Sequence, residues 1–189
     1  AKIGLKDVDC IALNKNPLAN FYKKAMFVFF KRPSLSLVKN RLSNVFKIEE
    51  IKDTLNKEFS ISKRKIKAKI CKIEHHRAHL ASAFFVSPFK EAAVVSLDGF
   101  GDFTSCMVAK GNDNKINVLY EVNYPHSLGL FYTAFTQFLG FKKFGDEYKV
   151  MGLSAYGKPK YFKEMEEILI LKPEGKFKLN LDYFSFYKK

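Results

Sequence analysis

Apolar residues in the first third of the chain recur at the three-to-four-residue spacing that places them on one face of a helix. Before them, residues 7–13 alternate and then become apolar, which predicts a strand that leads into a loop. Asn16 followed by Pro17 is typical of a helix start, and Pro33 marks the end of that helix. The pattern predicts helices over residues 17–32, 34–47 and 48–59.

The spacing changes to alternation at residues 65–73, which predicts a basic strand. A helix that contains His75 and His79 follows and ends before Pro88. Three short hydrophobic runs separated by turns then indicate an antiparallel meander. Its strands are predicted over residues 92–97, 103–109 and 116–122.

Helical spacing returns after the meander. Ser127 is expected to cap a helix that ends at Gly140, and a second helix is predicted from Asp146 to Tyr156. Residues 161–171 predict a last amphipathic helix, and the residues after it alternate as in a strand. Strands and helices are therefore both expected, as in an α/β protein.

Composition narrows the class of protein. Of 189 residues, 47% are hydrophobic, and twenty are Phe, which argues against disorder. The longest purely apolar run in the first third, residues 25–30, is too short to span a bilayer, and no secretion signal is recognised. The odd number of widely spaced cysteines predicts reduced thiols. We therefore expect a cytoplasmic protein with no membrane partner.

The formal net charge of +14 raises the question of an anionic partner. Lysines are spread over the whole chain, and Arg, the usual base-reading residue, is scarce. In the one dense run, residues 63–72, Lys67 and Lys69 alternate with apolar residues, as on a strand with a solvated lysine face. This pattern makes nucleic acid an unlikely partner, and a basic nucleic-acid-binding module is kept as the alternative.

His75 and His79 are four residues apart on the predicted helix, so both imidazoles can face one ion. Asp98, at the end of a hydrophobic run, can supply a carboxylate beside them. Imidazole with carboxylate suits a divalent transition metal such as iron, zinc or manganese. Two alternatives stay open, because paired histidines also occur in cores and Asp98-Gly99 can form a plain hairpin turn. Peptidase chemistry is unsupported, since His76 stands where zinc peptidases carry Glu.

Three further features are typical of anion binding. A turn containing Gly99 and Gly101 could present backbone N–H groups to a phosphate. Ser127 at a helix start could orient an anion, although a plain cap is the alternative. Gly152 inside a helical stretch suggests close approach of a ligand to the backbone.

Three sequence blocks carry a family resemblance. They are HHRAHLASAFFVSPFKEAAVVSLDGFGD, YPHSLGLFYTAFTQFLGF and GDEYKVMGLSAYGKP, in this order across residues 70–160. Together they resemble the ATP-dependent O-carbamoyltransferases of the nodulation-protein and antibiotic-biosynthesis type. The resemblance implies a partial ASKHA (actin and Hsp70-like) domain, α/β, with a mixed sheet flanked by helices. Its expected parts are a mainly helical region (1–64), a metal- and adenylate-binding core (65–160), and a C-terminal helix and tail (161–189).

The resemblance also implies a reaction. In such enzymes a separate domain makes carbamoyl adenylate from carbamoyl phosphate and ATP. The ASKHA domain then transfers the carbamoyl group to a hydroxyl of a small-molecule or saccharide acceptor. His75, His79 and Asp98 are the implied ligands of a divalent metal, expected to be iron(II). The residues implied in adenylate binding are Gly99, Phe100, Ser127, Gly129, Lys149 and Gly152.

The sequence departs from the family pattern in what it lacks. The family opens with a His-Asp pair whose histidine is the expected base, and no equivalent precedes Asp7, so the catalytic base is unknown. We therefore expect a truncated fragment, inactive alone, whose missing domains would come from an adjacent polypeptide. A tRNA threonylcarbamoyl transferase is the enzymatic alternative, and the GDEYKVMGLSAYG block favours the small-molecule branch.

Overall fold

The structure is a computed structural model that describes residues 4–39, 51–60, 62 and 66–188. The chain divides into two compact units. The first comprises Ala1–His75 with Phe186–Lys189, and the second comprises His76–Ser185. The predicted elements at residues 40–50 and 63–65 lie outside the described residues.

The first unit contains a parallel strand pair and helices. A 3-10 turn, Leu5–Asp7, precedes β1 (Cys10–Leu13), which pairs in parallel with β2 (Lys69–Lys72). The helices are α1 (Phe21–Lys31) and α2 (Ile51–Phe59), and residues 35–39 are also helical.

Helix α1 begins at Phe21, four residues later than predicted. The Asn16 side chain accepts a hydrogen bond from the backbone N–H of Leu18 at 3.2 Å. This local turn competes with helix formation, so the chain passes through a left-handed residue, Asn20, before the helix starts.

The lysine-rich segment before β2 presents one polar face, as predicted. Ile66 and Ala68 are buried, whereas Lys67 and Lys69 are exposed. The two-residue period therefore extends beyond the four residues that form strand hydrogen bonds.

The expectation of three reduced thiols is wrong for two of them. Parallel pairing places Cys10 and Cys71 on neighbouring strands with their Cα atoms 6.6 Å apart, and they form a disulfide. Only the third, Cys106, is a free thiol, and burial raises its pKa.

The second unit is built on the predicted meander. After α3 (His75–Phe84), strands β3 (Glu91–Gly101), β4 (Thr104–Asn112) and β5 (Lys115–Asn123) pair antiparallel in the order β3-β4-β5. All three are longer than predicted.

The first hairpin turn does not lie at Asp98-Gly99. Strand β3 continues to Gly101, which pairs with Thr104, and its register shifts between Leu97 and Gly101. The turn is formed by Asp102 and Phe103, whose φ angles are 49° and 82°. Positive φ at both central positions is the pattern of a type I′ hairpin loop, whose geometry matches the right-handed twist of the strands. Both the simple-turn alternative for Asp98-Gly99 and the predicted glycine turn at 99–101 are therefore wrong.

Apolar residues pack on both faces of this sheet. On one face, Leu80 and Phe84 of α3 pack against β3 and β4, through Val94, Met107 and Ala109. The other face contributes Cys106 and Val122 to a cluster with Phe177. Residues that alternate along the strands thus belong to two different cores.

The C-terminal part contains α4 (Leu128–Phe138), α5 (Glu147–Ser154) and α6 (Phe162–Ile168). The helix predicted over 161–171 is too long, because β6 (Leu169–Leu171) leaves it and pairs antiparallel with β7 (Phe177–Leu179). Residues 177–179 of the alternating tail pair with β6, and the local sequence pattern could not indicate that partner. Short 3-10 turns at Pro173–Gly175 and Leu181–Tyr183 complete the unit.

The fold is α/β, as predicted, with parallel and antiparallel pairs in separate sheets among the described residues. None of the described helices has the length and apolar character needed to cross a bilayer.

Candidate metal centre

Helix α3 positions two imidazoles on one side. It begins at His75, and His79 follows one turn later on the same face. The His75 Nδ1 atom lies 3.3 Å from the carbonyl oxygen of Asn14. Because a carbonyl only accepts, this contact selects the tautomer with the proton on Nδ1 and the lone pair on Nε2.

Asp98 brings a carboxylate to these rings from the irregular end of β3. Its Oδ2 atom lies 3.7 Å from His79 Nε2, and the two side chains are 43% and 48% exposed. Its other oxygen, Oδ1, accepts the backbone N–H of Gly99 at 2.6 Å. The carboxylate is thus oriented with one oxygen toward the backbone and the other toward the helix.

The cluster fits a divalent metal. One ligand atom from each of His75, His79 and Asp98 lies within 4.8 Å of the others. Atoms bound at about 2.0–2.2 Å to one ion are separated by at most about 4.4 Å, so a small side-chain rotation closes the set. Two neutral nitrogens and one anionic oxygen, with solvent on one side, match the donor set of transition-metal sites that keep open coordination positions.

The start of α4 fixes the backbone that carries Asp98. Ser127 is fully buried and caps α4 by accepting the backbone N–H of Leu130 at 3.0 Å. Its hydroxyl faces the carbonyl oxygens of Asp98, at 3.1 Å, and of Gly99. The cap that the sequence predicted therefore also connects α4 to the end of β3.

Gly129 makes that connection sterically possible. A Cβ atom at this position would lie 2.6 Å from the backbone nitrogen of Gly99 and 2.7 Å from the carbonyl oxygen of Asp98. Both are backbone atoms that cannot rotate away, so the contact requires glycine.

The residues implied in adenylate binding fall into two groups. Gly99, Ser127 and Gly129 meet at the end of β3, and the neighbouring Phe100 ring packs on Tyr124 with centroids 4.8 Å apart. Lys149 and Gly152 lie on a different element, α5. Around Gly152, no described atom comes within 4 Å of an added Cβ, so the structure supplies no packing reason for this glycine.

Lys149 forms an ion pair with Asp146 at 2.6 Å. This hydrogen bond, together with the backbone N–H of Lys143, holds the pKa of Asp146 below its usual value. The same bond raises the pKa of Lys149. Lys149 therefore stays a cation across the physiological range.

His76 is not among the residues that the sequence pattern predicts to be functional. It is fully buried, with Nδ1 2.8 Å from Ser96 Oγ and Nε2 2.9 Å from the carbonyl oxygen of Thr104. Its spacing from Leu80 and Phe84, four and eight residues, places it on the buried face of α3. That period could have identified it as an inward-facing residue.

Comparison with known proteins adds the family. The family described as carbamoyltransferase N-terminus matches residues 2–189. The chain belongs to this carbamoyltransferase family. The matched region includes every residue of the candidate metal centre.

Several curated relatives support membership of the carbamoyltransferase family. The chain is 38% identical over 192 residues to the uncharacterised protein sll1178 of Synechocystis sp., covering 98% of this chain and 31% of that protein. It is 31% identical to the nodulation protein NolNO of Sinorhizobium fredii, covering 96% and 25% respectively. It is 40% identical over 111 residues to the nodulation protein NolO of Bradyrhizobium diazoefficiens, covering 58% and 20%. The chain thus spans a third or less of these relatives.

Proposed function

We propose that this chain is the part of an O-carbamoyltransferase that holds carbamoyl adenylate and presents its carbamoyl group to an acceptor hydroxyl. The observation that carries the proposal is the convergence of His75, His79 and Asp98 in a member of the carbamoyltransferase family. The acceptor is a small molecule or saccharide, and the adenylate is made from carbamoyl phosphate and ATP by a separate domain. The architecture that we propose for this chain is part of an ASKHA-type domain.

The three side chains are proposed to hold a divalent metal, iron(II) in particular. When bound, the metal supplies a Lewis acid and a template for the substrate oxygens. The contact with the Asn14 carbonyl leaves the lone pair of His75 on Nε2, and the N–H of Gly99 holds one oxygen of the Asp98 carboxylate. These contacts fix the ligands before the ion arrives, which lowers the entropic cost of binding.

The end of β3 is proposed to form the phosphate side of the adenylate site. Ser127 and Gly129 hold α4 against it, so the helix N-terminus adds a partial positive charge next to Asp98 and Gly99. Lys149 and Gly152 on α5 are proposed to complete the pocket. As a permanent cation, Lys149 suits a phosphate or adenylate anion.

Metal binding tests the centre directly. Purified chain should bind Fe²⁺ under anaerobic conditions, or Co²⁺ as a spectroscopic substitute, at one ion per chain. His75→Ala and His79→Ala should each weaken binding by about 100-fold or more, since losing a ligand costs at least what losing its supporting partner does. His126→Gln is the matched control, because His126 lies outside the cluster and accepts the backbone N–H of Leu179.

Activity tests the reaction. The chain should be joined to the segments that extend beyond it in the Synechocystis relative, and incorporation of radiolabelled carbamoyl from carbamoyl phosphate should be measured with ATP present. We expect ATP-dependent labelling of hydroxyl compounds that is lost in His75→Ala and His79→Ala. Labelling that is undiminished in both variants would refute the proposed role of the centre. Retention of tRNA by the chain in a pull-down, with no labelling of small molecules, would favour the threonylcarbamoyl branch instead.

A further inference from the structure

His76 lies between the two proposed histidine ligands in sequence but points into the protein. Its imidazole contacts two strands of the sheet, Ser96 on β3 and Thr104 on β4. With 0% exposure, it is among the most buried polar residues described. A polar side chain this deep stays only where its hydrogen bonds are satisfied.

The donor and the acceptor nitrogen of the His76 ring can be assigned from its two hydrogen-bond partners. The carbonyl oxygen of Thr104 can only accept, so the His76 Nε2–H donates to it at 2.9 Å. Nδ1 then carries the lone pair and accepts the hydroxyl hydrogen of Ser96 at 2.8 Å. One neutral tautomer satisfies both ring nitrogens at once.

These bonds join the two elements that bring the metal ligands together. His76 precedes His79 by three residues on α3, and Ser96 precedes Asp98 by two residues on β3. Apolar packing of Leu80 against Val94 and its neighbours holds the helix on the sheet, but such contacts are non-directional and permit small slides. Hydrogen bonds weaken steeply with distance and angle, so they do not permit such slides.

We propose that His76 is a positioning residue that sets the register of α3 on β3 and thereby keeps His79 opposite Asp98. This inference rests on the proposed metal site for its functional meaning. Its structural content is independent of that site, because it concerns the 3.7 Å separation of His79 Nε2 and Asp98 Oδ2.

The test compares His76→Phe with His76→Asn and with Leu80→Ala. Phe retains a ring and loses both hydrogen bonds, whereas Asn restores an acceptor in place of Nδ1. Leu80→Ala removes a fully buried side chain from the same helix without touching the polar contacts. All variants are titrated with Co²⁺ and followed by its visible absorption, which reports ligand number and geometry.

We expect His76→Phe to weaken Co²⁺ binding by about 10- to 100-fold, the range found when a group that orients metal ligands is removed. His76→Asn should recover part of that loss. Leu80→Ala should melt earlier yet keep the wild-type Co²⁺ spectrum and affinity. Wild-type affinity and spectrum in folded His76→Phe would overturn the proposal.

A second measurement covers the remaining outcomes. Crystal structures of His76→Phe and of the milder Ser96→Ala should show His79 Nε2 and Asp98 Oδ2 farther apart than in the wild type. Should His76→Phe fail to fold, Ser96→Ala alone decides the matter. If the wild type binds no Co²⁺, the proposed function fails. An unchanged separation of His79 Nε2 and Asp98 Oδ2 in both variants would reject the positioning role.

Discussion

The Nε2 atom of His79 lies 3.7 Å from the Oδ2 atom of Asp98, so a helix and the irregular end of a strand meet at one point. Neither side chain is buried, so burial of their own surfaces does not account for their approach. The backbone does, because α3 is bonded to the sheet through His76 and α4 holds the end of β3 through Ser127. The candidate centre is a product of two separate contacts between helix and strand.

Replacing Asp98 with Asn should lower Co²⁺ or Fe²⁺ affinity by about 100-fold or more, because the amide keeps the shape but loses the anionic ligand. Glu91→Gln, at the other end of the same strand, is the matched control, since Glu91 pairs with Lys110 rather than with the histidines. Calorimetric titration measures both. Equal metal affinities of Asp98→Asn and Glu91→Gln would show that Asp98 is not a ligand of the centre.

Two glycine substitutions should act in opposite directions. Gly129→Ala forces a Cβ to within 2.7 Å of β3 backbone atoms and should destabilise the chain by about 1–3 kcal/mol, the usual cost of overpacking. Gly152→Ala has open space around it within a helix and should stabilise by about 0.5–1 kcal/mol. Denaturant unfolding compares them.

Gly152→Ala also separates an effect of this glycine on stability from an effect on ligand binding. If Gly152 serves close approach of an adenylate, Gly152→Ala should melt higher yet bind AMP more weakly than the wild type does. Retained AMP binding in a stabilised Gly152→Ala would show that this glycine has no part in the pocket.

Ser127→Ala should cost about 1–2 kcal/mol, because it removes a helix cap and a buried bond to the Asp98 carbonyl together. Ser154→Ala provides the comparison, since the exposed Ser154 hydroxyl bonds to the Met151 carbonyl of its own helix and its loss should change stability by less than about 0.5 kcal/mol. Equal melting temperatures of Ser127→Ala and Ser154→Ala would contradict the connecting role of Ser127.

The Asp146–Lys149 pair should make stability depend on acid. The pKa of Asp146 is lower in the folded chain, chiefly through the hydrogen bond from Lys149, than the value of about 3.9 expected when unfolded. Its stabilisation is therefore complete above that unfolded value and is lost as the pH falls through the folded pKa. Asp146→Asn should melt lower at neutral pH and lose less stability on acidification.

The partner residue gives a complementary check on this pair. Lys149→Met should lower the melting temperature at neutral pH as Asp146→Asn does. The control Lys142→Met, at an exposed position, should leave the melting temperature unchanged. An acid profile of Asp146→Asn parallel to that of the wild type would show that the ion pair does not contribute.

Much of the fold was accessible from the sequence because the informative signals were local. The three-stranded meander, the cap at Ser127 and the end of α4 at Gly140 follow from alternation, a hydroxyl at a helix start and a glycine after it. Predictions failed where local signals competed, as at Asn16, whose side chain forms a turn and delays α1. They also failed at β6, whose strand pairing depends on residues farther along the chain.

For the candidate site, the sequence alone determined that two imidazoles share one helical face and that a carboxylate follows the hydrophobic run 92–97. Those facts follow from the periods of helix and strand. Only the tertiary structure decided that the carboxylate lies on the side of the imidazoles, because that depends on the register shift after Leu97 and on the turn at Asp102 and Phe103. It also decided that Gly129 is needed where two backbones touch and that His76 faces inward between two strands. Such contacts join residues distant in sequence, and their geometry is set by packing rather than by any local pattern.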